Sequence, residues 1–219
     1  MVETPPADPF LHTAPWKVLA RHFERAAMLW VLLAPAASLA AGAASTEPTL
    51  AWQFALEPAA SRIEFTLGAT LHTIEGTFPL REGELHFDPA TGVVTGRIVI
   101  DATGGETGSA RRDEVMHDQI LETAEYPDFV LTPHTIAGIE RDADGLRGSL
   151  EASFSIHGET HLLTIPIDAR RAEPGRGEVI GEMEIPWAAW GLHDPSNFVL
   201  RVEKVLTLRF RVAGALLEP

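Results

Sequence analysis

The chain has 219 residues, no cysteine and a formal net charge of −14. Without cysteine there can be no disulfide, so the core alone must hold the fold, which a domain of this size can do. An acidic surface repels phosphate backbones, so nucleic acid is not expected as a partner.

The N-terminal part reads as a leader. Residues 26–44 carry no charge, Lys17, Arg21 and Arg25 precede them, and Ala41-Gly42-Ala43 has the small residues of a cleavage site. Basic, then apolar, then small predicts a secretory signal peptide cleaved near Ala43. The alternative is an uncleaved membrane anchor, but Pro35 and the Ala/Gly-rich second half weaken a span, and no later stretch is long and apolar enough to cross a bilayer. Residues 1–16, rich in proline, suit neither a leader nor a folded element. A start near Val18 would account for them, and an unprocessed precursor beginning at Met1 would exclude it. The expected domains are a leader, 1–43, and one exported domain, 44–219. Three basic and three acidic residues cancel before residue 44, so the whole −14 sits on the second.

That domain alternates. Trp52 and Phe54 open a lead-in strand. Residues 61–69 put Ile63, Phe65 and Leu67 on one face, and 73–80 put Ile74, Gly76 and Phe78 there. A turn at 88–92 leads into 93–101, with Val94, Ile98 and Ile100 on one side. The period of two then stops. Residues 102–109 are a Thr/Gly-rich loop, and 110–122 have helical spacing behind a candidate N-cap at Ser109, ended by Tyr126-Pro127. Strands resume at Phe129, with a kink at Pro133. In 146–156 the even positions, Leu146, Gly148, Leu150, Ala152, Phe154 and Ile156, are apolar or small, and the odd ones are polar without exception. Only a strand with one dry and one wet face rewards that pattern. A tight turn at 158–160 gives 161–169, with Leu163, Ile165 and Ile167 inward. A hairpin loop at 173–177 gives 179–187, with Met183, Ile185 and Trp187 inward. After a loop at 187–197, the last strand, 198–212, carries Leu200, Val202, Leu206, Leu208, Phe210 and Val212 on one parity. Eight to nine strands and one short helix predict an antiparallel sandwich or closed barrel whose function lies in what the dry face encloses.

Few residues suggest chemistry. His157 and His161 bracket a hairpin glycine and lack the helix and glutamate placement of a metalloprotease motif, so no metal site is expected. Ser155, His157 and Asp168 lack a nucleophile elbow and an oxyanion hole, so no catalytic residue is expected either. Arg111-Arg112-Asp113 opens the helix beside the glycine-rich loop. It is either an anion contact at the barrel mouth or a structural tie of helix to barrel. Lys204, the only lysine after residue 17, shares the parity of the inward residues. A regular strand would point it inside, where it would need a partner or a ligand group, whereas a bulge near Glu203 would turn it out.

In order, the chain shows Ile63-Glu64-Phe65, Gly76-Thr77-Phe78, Val94 to Asp101, Thr107-Gly108, Arg112-Asp113, Leu121 to Tyr126-Pro127, Phe129, Gly148-Ser149-Leu150 and Ile156-His157-Gly158-x-Thr160. This set resembles the YceI-like family of periplasmic polyisoprenoid-binding proteins over roughly 52–213. The resemblance implies an all-β, antiparallel, eight-stranded, lipocalin-like barrel with one short helix, whose tunnel holds an isoprenoid chain. It departs from the family at His161, where lysine is common, and at Lys204, where an acid is common; Trp187 and Trp190 flank a variable segment.

The expected function is therefore an exported, periplasmic or secreted carrier of an isoprenoid-type lipid, a polyprenyl chain or quinone precursor, with no cofactor and no enzymatic activity. The tail would lie against Phe65, Ile98, Ile100, Phe129, Leu150 and Phe154, and against Ile156, Ile165, Met183, Trp187, Leu206, Leu208 and Phe210. Arg112 and Lys204 are the candidate head-group contacts. Gly76, Gly96, Gly148 and Ala152 on the inner face would leave room for the tail or else mark tight bends. Two other functions stay open, an envelope protein with a filled barrel and a barrel enzyme acting on a hydrophobic ester or prenyl phosphate. Exposed tryptophans would leave a homodimer open.

Overall fold

The computed structural model describes residues 51–70, 72–196 and 201–218. The leader expected at 1–43, and Leu200 with the start of the last expected strand, lie outside them. The strands are β1 (Trp52–Leu56), β2 (Arg62–Gly68), β3 (Thr73–Phe78), β4 (Leu80–Phe87), β5 (Val94–Asp101), β6 (Asp128–Arg141), β7 (Gly145–Ile156), β8 (Glu159–Glu173), β9 (Arg176–Ile185) and β10 (Leu206–Leu217). Helix α1 (Ala110–Val115) runs on into a π-helical turn, Met116–Ile120.

All pairings are antiparallel, and the ring closes. From β4 to β10 each paired strand lies beside the next in sequence. β10 then pairs β2 through its first half, Leu208 opposite Phe65, and β1 through its second, Gly214 opposite Leu56. β1 in turn pairs β4, Trp52 opposite Phe87. β1 and β2 are one barrel strand broken by a 3-10 turn at Pro58–Ala60, and β3 and β4 are another broken at Pro79, which has no N–H to give a ladder. Ten segments thus make an eight-stranded closed barrel, one of the two architectures the alternation allowed and the one the family resemblance implied. The outer edge of β3 is covered by the loop before α1, where Thr77 and Glu106 exchange backbone hydrogen bonds of 2.9 and 3.0 Å.

The wall opens at a seam between β8 and β9. β8 pairs β9 only from Ile167 opposite Gly181 onward, and residues 159–166 of β8 pair β7 alone. Pro166, with no donor, stands where the ladder stops. The turn after β9 covers the gap, stacking Trp190 flat on His161 with ring centroids 4.0 Å apart.

Of the two readings of the small inner-face residues, room for the tail is not met at the glycines. Gly76 and Gly148 leave no room, because the Phe65 ring lies over Gly76 and the Ile136 side chain over Gly148. Gly96 is exposed with φ +112, a conformation side chains resist, and it does not face the lumen. A Cβ at Gly76 would strike the Phe65 ring and stand 2.6 Å from the Glu106 carbonyl oxygen. Gly76→Ala should therefore cost about 1–3 kcal/mol, read as a lower urea midpoint; an unchanged midpoint would show that Phe65 yields freely.

Candidate functional site

Among the described residues, the inward faces line two chambers, each open at one side. The larger has a volume of about 320 Å³ and lies toward the barrel end formed by the 88–92, 141–145 and 173–176 turns, with walls that include Phe54, Val94, Ile98, Leu150 and Val212. The smaller, about 100 Å³, is lined by Phe65, Phe129, Phe154, Trp187 and Leu208 and closed by Met116, Ile120 and Leu121 from the helical segment. They share no lining residue. Along β7 the large chamber ends at Leu150 and the small one begins at Phe154; along β10 the change falls between Phe210 and Leu208. The waist between them is Ala152, Ile165 and Met183, all buried.

Period-two alternation puts these side chains inside because a strand alternates its faces strictly and the wet face is charged. Outside, Arg209 pairs Glu182, Arg147 pairs Asp168 and Arg97 pairs Glu82. Leu162, 82% exposed, is an apolar exception on that face.

Of the residues expected to touch a tail, Ile98, Leu150 and Phe210 line the large chamber. Phe65, Phe129, Phe154, Ile156, Trp187, Leu206 and Leu208 line the small one. Ile100, Ile165 and Met183 are buried but line neither. Trp52, Phe54, Leu85, Phe87, Leu131, Pro133, Ile136, Leu146, Val179 and Leu216, which were not among the expected tail contacts, also line the large chamber. Leu146 and Phe54 already carried the alternation signal.

The expected head-group residues are elsewhere. Lys204 does not point inward: β10 starts at Leu206, and the residues before it form a bend, so parity does not reach Lys204. Its ammonium binds the Asp194 carboxylate and donates to Ser196 Oγ at 2.9 Å, lying 5.6 Å from the centre of the Trp187 ring. Arg112 is exposed and donates to Thr107 Oγ1 and to the Thr107 carbonyl, at 3.2 and 2.9 Å. Thr107 in turn donates from its amide and its hydroxyl to Asp113 Oδ1, at 2.8 and 2.6 Å. This is the structural tie of helix to loop, and Ser109 at the N-cap makes no side-chain cap. Of the tryptophans whose exposure would leave a homodimer open, Trp187 is buried, while Trp190, against His161 and Phe154, and Trp52 are half-buried.

The two hairpin histidines diverge. His157 Nε2 is 2.6 Å from Glu122 Oε2, with the Tyr126 ring 4.5 Å from its own, while His161 stacks on Trp190. Glu122 and His157 both have positive φ, 47 and 51. Two strained non-glycine residues thus hold the segment after the π-turn against the β7–β8 hairpin.

The Asp194 carboxyl is held down at about 2, below its ordinary 3.8, first by the hydrogen bond from Lys204 and then by those from Ser196. A folded value below the unfolded one means its stabilising share is full above pH 3.8 and is lost as the pH falls toward about 2. Asp194→Asn should flatten the dependence of stability on pH in that window. Superimposable slopes for the two proteins would refute this.

Comparisons with known proteins agree with this geometry. A sequence profile of the YceI-like domain matches residues 54–213. A polyisoprenoid-binding domain from Saccharophagus degradans, implicated in plant cell wall breakdown, superposes with a TM-score of 0.56 at 19% identity, covering 76% of this chain and 98% of its own. Burkholderia cenocepacia BcnA superposes with a TM-score of 0.60 at 16% identity, covering 73% and 99%. The Campylobacter jejuni YceI protein gives 0.52 at 15%, covering 67% and 86%. At these identities the solved structures establish a shared fold. No curated protein sequence matches the chain.

Proposed function

The chain belongs to the YceI-like domain family, and on that premise we propose that it is an exported carrier that binds the tail of an isoprenoid-type lipid in the barrel. One observation carries this reading: the large chamber is an apolar space of about 320 Å³, with polar groups confined to its rim. Such a wall suits a hydrocarbon tail, which needs burial and little directional polarity. Each CH₂ moved into it from water contributes about 0.8 kcal/mol. The volume stands near the lower end of ligand pockets, which run from about 300 Å³, so a long tail needs the waist to yield. The chamber argues against a filled structural barrel. Among the described residues its lining holds no serine, threonine, cysteine or histidine, which favours binding over catalysis.

Export rests on the leader, residues 1–43, ahead of a binding domain spanning 44–219, and a periplasmic address fits a member of this family. Among the described residues, no helix is long and apolar enough to cross a membrane. The test is native mass spectrometry of protein purified from its own host, followed by titration with farnesol and longer prenyl alcohols. A co-purifying prenyl lipid and saturable titration support the carrier. An empty barrel that refuses every prenyl alcohol overturns it. N-terminal sequencing of the mature protein should begin within a few residues of Ala43.

A further inference from the structure

We propose that the rim of the large chamber is a head-group site for an anionic amphiphile, with Arg141 as its principal contact and Arg171 and Trp52 beside it. This deepens the carrier reading and rests on it. It places the head at the barrel end opposite the helix, away from Arg112 and Lys204.

The rim carries three guanidiniums over a dry interior: Arg141 at the end of β6, and Arg170 and Arg171 on β8. Two of them have carboxylate partners. Arg170 donates to Asp168 at 2.8 and 2.7 Å, and Arg171 to Glu218 at 2.6 Å, while its guanidinium lies 5.3 Å from the centre of the Trp52 ring. Arg141 differs. Among the described residues no carboxylate stands within ion-pair distance of it, and its partner is the Pro89 carbonyl, 2.6 Å from Nη2. A guanidinium has five N–H donors, so Arg141 keeps most of its capacity free.

The acids at the same rim are engaged elsewhere. Asp142 accepts from the amides of Asp144 and Gly145, both at 2.9 Å, which fixes the β6–β7 turn. Glu178 binds Arg211 on the neighbouring strand. An uncompensated cation therefore stands at the entrance to a hydrocarbon-lined space, in a protein whose net charge is −14. A neutral head such as an alcohol gains little from this arrangement. A phosphate or carboxylate gains charge-assisted hydrogen bonds from Arg141, while its tail runs inward past Phe54, Ile98 and Leu150. Trp52, half-buried and edge-on to Phe87 at 6.4 Å, gives the first tail carbons an aromatic collar.

The test compares farnesyl phosphate, farnesol and inorganic phosphate on the same protein. The phosphate ester should bind about ten-fold more tightly than the alcohol at low salt, and the margin should shrink as salt is added. Arg141→Gln should bring the ester-to-alcohol ratio to about one; should that variant not fold, the salt dependence of the ratio in the unaltered protein decides. Equal binding of ester and alcohol in the unaltered protein, or a ratio that persists in R141Q, would overturn the head-group site and leave the carrier standing. Failure of ester and alcohol alike would overturn the carrier and this site with it. Inorganic phosphate competing as well as the ester would overturn the amphiphile and leave a free-anion site.

Discussion

Val179→Trp should abolish tail binding while leaving the barrel folded. Val179 is half-buried on β9, lines the large chamber and faces Val212 across the ladder. Its side chain points into open volume, so an indole can extend there without the overpacking that larger side chains usually cause in a full core. The ring would occupy space the tail needs. Displacing two methylenes is enough for roughly a ten-fold loss, at about 0.8 kcal/mol each, and an indole displaces more. Prenyl alcohol titration should show at least that loss, with the urea midpoint close to that of the unaltered protein. Undiminished binding in a folded V179W would place the tail outside the large chamber and redirect attention to the seam between β8 and β9.

The barrel was legible in the sequence because its signal is local. Residues 146–156 alternate without error, and β7 buries the even positions from Leu150 to Ile156 and half-buries Leu146 and Gly148. The helix was legible for the converse reason, a loss of period two between two runs that keep it. The chambers were less legible because they depend on how strands face one another across the lumen. Gly76 and Gly148 suggested vacancy, yet a neighbouring strand fills each place with Phe65 or Ile136. Lys204 misled in another way: parity has meaning only inside a strand, and the ladder begins two residues later. Arg141 carried no sequence signal at all. The role proposed for it at the rim follows from where Asp142 and Glu178 direct their carboxylates, which no spacing reveals. The resemblance motifs fare better, because several meet in space. Tyr126 lies on His157, and Thr107 joins Arg112 to Asp113.

Phe154→Ala should be the most destabilising single change in the domain, by about 3–5 kcal/mol. Phe154 is 0% exposed, is held on the clean alternating strand, and sits between the rings of Phe129 and Trp190 at 6.0 and 6.3 Å. Through Phe129 and Phe78 this contact continues to Phe65, so one ring joins β7 to β6, β3 and β2. Against a total stability of about 5–15 kcal/mol, a loss of that size consumes much of the margin. Phe154 also borders the waist, next in the inward row to Ala152 and at the boundary of the small chamber, whose volume is about 100 Å³. Its removal would enlarge that chamber toward the large one and lengthen the space open to a tail. A ligand that binds only the folded state raises stability by mass action. A prenyl alcohol long enough to cross the waist should therefore restore more of the F154A melting temperature than a short one does, a difference smaller in the unaltered protein. Equal rescue by short and long alcohols would mean that the waist stays closed without Phe154 and that the partition rests on Ile165 and Met183.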